Sequence, residues 1–542
     1  MVSSAPELTA VGAAFPAGGG RGATTRRAPW PLAVGGLAIG LLFAVPLAYL
    51  ASESLARDVD VVEILRSEDA LAPLVRTLTL AVGVAALATA LGTALAWLTT
   101  RTDLPGRRLW RLVVPLPLVI PSFVGALALI AAFAPDGVFD LLFGFDRSPR
   151  IEGYWWSVTL LGLLTYPYVY LPVAARLAAL PTSLEESARA LGRSPWGSFR
   201  TVVLPQLTGA MWAGALLVFL YSLSEFGAVQ LLHYDTLTRA IYSARLLDRD
   251  TSIVLSLLLA TVALVVVITE RVHARRRVLT EAVGRARPAL TPLGRWRWPA
   301  VGFVASVVGV ALVGPVIVLV QWTLRGVAGD VALHADRLVT DGWTTAWLGL
   351  VTAFVAVAVV LPVAFLTTRH RSWAGGAANT LVVSGFALPG LVVALALVFF
   401  VLQVPAFGSL YQTYSLLIAA YVVHFGSQAM RASQVAVSGV PRRVDDAARS
   451  LGASRMRRLV TVDLPLMRGG LAAGMGLVLL STMKELPATL VLRPLGSDTL
   501  ATRIWASASE GFYAEAGLAA LVLLVLSGLL TWFLTIRRAE FA

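Results

Sequence analysis

Two acidic residues, Glu225 and Glu485, lie 260 positions apart inside otherwise apolar runs, YSLSEFGAVQLL and STMKELPATLVLRP. An ionisable side chain inside a bilayer is costly, and it is kept where it handles an ion, a proton or a ligand. Lys484 adjoins Glu485 and is the single lysine of the chain; the rest of its 44 basic side chains are arginine. Two facing carboxylates would attract a cation or its complex. A neighbouring ammonium would weaken that hold and favour release, because a passage that binds too tightly does not conduct. Glu225, Lys484 and Glu485 are therefore expected on a translocation path, with Glu225 and Glu485 as transient metal contacts. The competing expectation is that they snorkel at the outer end of a span, or pair with Arg239, Arg493 or Arg503 to hold a gate shut. On one helix Lys484 and Glu485 would point about 100° apart and need separate partners. Gly227 and Pro487 each follow two residues after a glutamate, where they can interrupt a helix and free backbone carbonyls.

The elements that must position these residues are membrane helices. The chain has 542 residues, of which 57% are hydrophobic and 14% charged, against about 25% charged in a soluble domain. Apolar runs recur near 31–51, 77–100, 110–134, 155–180, 206–232 and 251–270, then near 299–323, 343–368, 378–404, 412–432, 467–492 and 513–536. Each is close to the roughly 20 residues that cross a bilayer. The expected fold is all-α and polytopic, with about 12 transmembrane helices in two parallel pseudo-symmetric halves of six. A β-barrel would show short alternating segments instead. The net charge of +13 comes from arginines clustered between spans, so it points to a bilayer and not to nucleic acid. Arginine-rich connections at 101–111, 271–298 and 369–373 fall on one side with both termini; the acidic stretch 53–70 and the loops around Asp136, Asp248 and Asp498 fall on the other. The positive-inside rule puts both termini in the cytoplasm. Arg26-Arg27 fits that rule as a flank of the first span. Residues 1–29 are expected to form a disordered tail, 30–272 one half, 273–297 a linker and 298–542 the second half. With no cysteine in the chain, disulfides and thiolate metal sites are excluded.

Two polar loops also repeat, PTSLEESARALGRSPWGSFRTVVLP at 181–205 and PRRVDDAARSLGASRMRRLVTVDLP at 441–465. Proline opens each as the first turn of a helix. Glu185 and Glu186 occupy a first turn, where the helix dipole favours them. Ala188 and Ala190 are small, Leu184 and Leu191 share an apolar face, and Gly192 closes the helix. A short second helix then leads into the next span at Leu204-Pro205 or Leu464-Pro465. Other pairs support the duplication: LTTR at 98–101 and 366–369, Ile120-Pro121 and Leu388-Pro389, and DTLTRAIYSA at 235–244 with DTLATRIWASA at 498–508. An even number of spans per half makes the repeats parallel, related by an axis along the membrane normal. Two matched loops on one side then suggest two equivalent docking sites for a two-fold partner.

The loops resemble the motif of membrane subunits of binding-protein-dependent ABC importers: Glu-Ala-Ala, three residues, Gly, nine residues, Ile, one residue, Leu-Pro. Here Glu186-Ser187-Ala188, Gly192, Val202 and Leu204-Pro205 match it, as do Asp446-Ala447-Ala448, Gly452, Val462 and Leu464-Pro465. The resemblance implies coupling helices seated in two cytoplasmic ATPase subunits through Glu185, Glu186, Ala188, Gly192, Asp445, Asp446, Ala448 and Gly452. The chain has no GxxxxGK[ST] loop. ATP and Mg are thus expected on the partner subunits, with no cofactor on this chain and no enzymatic activity of its own. The stretches 484–505 and 224–232 resemble the ferric-iron uptake branch, in which two permease halves are commonly fused. That branch implies a prokaryotic inner-membrane location and an extracytoplasmic ferric-iron-binding protein. Thiamine or an oxyanion is the alternative cargo, since permeases for both share much of the frame. A secondary transporter driven by an ion gradient would give no reason for two matched loops, and a membrane scaffold none for internal symmetry.

Overall fold

In the computed structural model, the described residues are 29–56, 60–135, 137–144, 149–181, 183–276, 290–329, 334–370, 372–385 and 388–539. The tail expected at 1–29 lies outside them except for Pro29, as does the middle of the expected linker, 277–289. Among the described residues helices joined by turns and short loops make up the fold, and the β structure is one isolated bridge between Thr102 and Thr291.

The first half contributes α1 (Trp30–Ala56), α2 (Glu68–Arg101), α3 (Ser122–Phe133), α4 (Tyr154–Thr165), α5 (Pro167–Ala179), α6 (Ser183–Ala190), α7 (Leu204–Ser224), α8 (Gly227–Leu231), α9 (Leu237–Ala244) and α10 (Arg249–Arg276). The second contributes α11 (Gly314–Ala328), α12 (Ala335–Arg369), α13 (Trp373–Ser384), α14 (Gly390–Gln403), α15 (Tyr414–Ser438), α16 (Arg442–Ser450), α17 (Leu464–Met483), α18 (Pro487–Leu492), α19 (Leu500–Ser509) and α20 (Tyr513–Ala539). Nine helices among the described residues are long and apolar enough to cross a membrane, or ten if the bent pair α4–α5 counts as one. The two remaining sequence-predicted spans are present as helices of another kind. Pro389 splits the span expected at 378–404 into α13 and α14. The span expected at 412–432 is α15, whose apolar run is diluted by His424, Ser427, Gln428 and Arg431. Ser427 is buried, Gln428 accepts a hydrogen bond from Ser481 at 3.0 Å, and Arg431 is exposed.

Helix association in lipid relies on close packing, because the tails are as apolar as the side chains. Small residues supply it here. A Cβ at Gly214 of α7 would lie 2.6 Å from the Val169 Cα, so α5 and α7 meet backbone to backbone. The first helix of each half crosses to the other half. α1 packs on α12, α13 and α14, with Gly40 set against the backbone of Ala378. Reciprocally, α11 packs on α3 while also contacting α20 of its own half.

Three five-residue π turns, Phe199–Val203, Gly309–Val313 and Leu459–Asp463, each run straight into a helix with proline in its first turn: Pro205, Pro315 and Pro465. Proline lacks the N–H for the i−4 bond and its ring crowds that carbonyl. A widened turn removes both conflicts while the helix continues.

Candidate functional site

The fifth span of each half is broken at the glutamate that the sequence singled out. α7 stops at Ser224, Glu225 turns extended (φ −66°, ψ 130°), and α8 restarts at Gly227. α17 stops at Met483 and α18 restarts at Pro487. The third spans break as well, with Pro121 and Pro389 extended before α3 and α14. The breaks of the fifth spans meet across the pseudo-two-fold. A Cβ at Gly227 would lie 3.5 Å from Leu486, and the Phe226 ring centroid is 6.0 Å from that of Trp505.

Each carboxylate closes its own break. Glu225 Oε1 accepts from the Ala228 N–H at 2.9 Å and from the Ser122 hydroxyl at 2.8 Å. Glu485 Oε1 accepts from the Ala488 N–H at 3.2 Å. Thr238 and Thr489 each donate to the carbonyl of their glutamate at 2.6 Å. Glu225 is buried and Glu485 is half-buried. The halves differ in what surrounds them. Where the first half has Ser122, the second has Gly390, whose missing Cβ leaves room for the Glu485 carboxylate, only 2.5 Å from that position. Lys484 Nζ donates at 2.9 Å to the Leu118 carbonyl, so it ties the second-half break to the broken third span of the first half. His424 Nδ1 donates at 3.0 Å to the Leu388 carbonyl, beside Pro389. Ser122 and His424 were not singled out in the sequence; His424, an ionisable residue within an apolar run, was the detectable one.

The arginine partners considered for these glutamates are engaged elsewhere. Arg239 pairs with Asp235 at 2.9 Å, Arg493 pairs with Asp498, and Arg503 lies 3.3 Å from both Asp341 and Glu515. The reading in which those arginines hold the gate through Glu225 and Glu485 is therefore corrected: backbone N–H groups and a serine hold the carboxylates. Among the described residues no three His, Asp or Glu side chains gather as a metal centre.

At the opposite end of the fifth spans, the two repeat loops form matching elbows. α6 ends with Gly192 at φ +84° and α16 with Gly452 at φ +77°, a left-handed conformation that favours glycine. Gly192 N–H donates to Arg189 O and Arg193 N–H to Ala188 O, at 2.9 and 3.1 Å; Gly452 and Ala453 repeat the pair onto Arg449 and Ala448 at the same distances. This double bond is the Schellman ending of a helix. It leaves Leu191 and Leu451 84% and 87% exposed at equivalent places. Glu186 and Asp446 are exposed, and Asp446 lies 4.0 Å from Arg449. Glu185 turns inward to Arg101 at 3.4 Å. Ala188 is buried and Ala448 half-buried, so the small residues pack against the chain's own body and not outward. The side chain of Asp445 lies outside the described residues.

Each half thus carries a broken fifth span capped by a glutamate and a glycine-ended elbow at its far end. Residues 88–279 and 358–537 each match the family described as binding-protein-dependent transport system inner membrane component. The chain belongs to that family. The Fe(3+)-transport system permease protein FbpB 2 of Haemophilus influenzae is 31% identical over 517 residues, 93% of this chain and 97% of that protein. The sulfate transport system permease protein CysT of Escherichia coli is 36% identical over 140 residues, 26% of this chain and 50% of that protein. A probable sulfate permease of Chlorokybus atmophyticus is 29% identical over 209 residues, 38% of this chain and 71% of its own length. With two family domains in one chain, the protein is a fused, multi-pass inner-membrane permease of an ABC importer. Membership removes the ion-gradient and scaffold readings.

Proposed function

We propose that this permease imports ferric iron, delivered by an extracytoplasmic binding protein, under the drive of two cytoplasmic ATPase subunits docked at α6 and α16. The observation that carries the cargo is the likeness to a ferric-iron permease along nearly the whole length of both chains. The sulfate relatives named above match at most 38% of this chain. A pair of carboxylates at the gate suits a cation better than an oxyanion.

In this reading, ATP and Mg belong to the partner subunits and this chain carries no cofactor. Leu191 and Leu451 are apolar prongs for the ATPase clefts, with Glu186, Asp446 and Arg189 around them as polar rim. The termini and elbows face the cytoplasm. ATPase closure moves the elbows, and the π turns at 199–203 and 459–463 pass that movement into α7 and α17. Separation of the fifth-span breaks then exposes Glu225 and Glu485. Ferric ion competes with the Ala228 and Ala488 N–H groups for the carboxylates, and it leaves once those N–H groups return. Lys484 restores the seal by regaining the Leu118 carbonyl.

The test is uptake into proteoliposomes holding permease, ATPase and binding protein, with ferric ion, sulfate and thiamine in competition. The reading requires iron uptake that sulfate and thiamine leave unchanged; displacement of iron by either would replace the cargo.

A further inference from the structure

The long second helix of each half ends in the same string, Leu98-Thr99-Thr100-Arg101 and Leu366-Thr367-Thr368-Arg369. Both arginines reach one equivalent place. Arg101 Nη2 donates to the Leu180 carbonyl at 3.1 Å, and Arg369 Nη2 donates to the Val440 carbonyl at 3.0 Å. Leu180 and Val440 are the residues just before Pro181 and Pro441, where the elbows begin. Arg101 is only 2% exposed, and its nearest carboxylate, Glu185, belongs to the elbow helix itself. Its Nε and Nη1 have no hydrogen-bond partner. A guanidinium buried on such terms is costly, and its two side-chain contacts fall on the residue that leads into the elbow and on the elbow helix.

Toward their other ends, inside the helix and not at its first residue, these helices are matched too. Thr77 Oγ1 accepts from the Leu237 N–H, and Thr345 Oγ1 accepts from the Leu500 N–H, both at 2.8 Å. Leu237 opens α9 and Leu500 opens α19, each the second helix after its break. In the first half the next residue, Thr238, donates to the Glu225 carbonyl. Thr77 and Arg101 are 24 residues apart, as are Thr345 and Arg369, or about 36 Å of helix. α2 runs unbroken between its two anchors, and α12 does so through Pro362.

We propose that α2 and α12 are push rods, with Arg101 and Arg369 as positioning residues at the elbow end and Thr77 and Thr345 at the gate end. The elbow then moves the gate by two routes: directly through the fifth span, and through the second helix to the segment beyond the break. The two routes act on opposite sides of Glu225 and of Glu485, so the break is worked from both ends. This inference rests on the elbows being the ATPase docking sites.

The experiment compares transport per ATP hydrolysed in the reconstituted complex. Arg101→Met with Arg369→Met should lower that ratio by about tenfold, with the ATPase still co-purifying. Arg101→Lys with Arg369→Lys should restore part of it, because one ammonium can still reach one carbonyl. Thr77→Val with Thr345→Val leaves the elbows untouched and should lower the same ratio; this pair carries the test if the methionine variants fail to insert. A purely structural role would reduce yield and leave the ratio at the wild-type value, and that result overturns the push rod. Gly192→Val with Gly452→Val runs alongside. If the glycine pair uncouples while the arginine and threonine pairs do not, the rod alone falls. If the glycine pair stays coupled, the docking reading falls with it.

Discussion

Glu225 and Glu485 hold their helix breaks through backbone N–H groups, so charge and capping are combined in one side chain. Glutamine keeps an acceptor for the cap and removes the charge. Glu225→Gln with Glu485→Gln should therefore leave assembly with the ATPase intact and lower iron uptake by about tenfold, ~1.4 kcal/mol on the limiting step. Unchanged iron flux in the assembled double variant would take the carboxylates off the path. Lys484 has a separate role. Removing its ammonium strands the Leu118 carbonyl, a loss of about 1–3 kcal/mol. Lys484→Met should accordingly raise ATP hydrolysis in the absence of binding protein, and a basal rate equal to wild type would contradict the seal. The two glutamates were legible in the sequence because a charge stands out in an apolar run. Their partners were not: an N–H group is free to be capped only where the helix breaks, and three nearby arginines looked equally able to pair. Arg239, Arg493 and Arg503 are instead taken by Asp235, Asp498, Asp341 and Glu515.

The elbows are where the sequence spoke most clearly about structure. Gly192 and Gly452 have left-handed backbone, and another residue there costs about 1–2 kcal/mol. A Cβ at either glycine would meet nothing within 4 Å, so a substitution acts through the backbone turn and not through a clash. Gly192→Val with Gly452→Val should thus insert normally and lose most ATP-coupled uptake, measured as cargo moved per ATP; full coupling in both would contradict docking at the elbows. The inward face of α6 was less legible. Small size alone does not say which way Ala188 points, and it packs inward while Leu191 projects. The π turns were not legible at all, although each precedes a proline. Their geometry predicts that Pro205→Ala with Pro465→Ala lets the turns tighten to α-helix, shifting the elbow register by one residue. Cysteine pairs introduced into this cysteine-free chain between α6 and α7, and between α16 and α17, would report the shift as an altered cross-linking pattern. An unchanged pattern would show that proline does not set the turn.

The duplicated architecture was visible as offsets of 260 and 268 residues between matching motifs, and the structure places those motifs at equivalent points. The exchange of α1 and α11 between halves left no comparable mark, because a glycine-bearing apolar helix reads the same whichever neighbour it packs on. The exchange makes the two halves one mechanical unit, as a gate worked from two elbows requires. The span count was also blurred, since a proline splits α13 from α14 and interior polar groups dilute α15. The most direct test of a pseudo-symmetric gate levered from outside is iron uptake by proteoliposomes, with the permease alone and with its ATPase and binding protein added. Uptake should appear only when both partners and ATP are present; concentrative uptake by the permease alone would contradict the account.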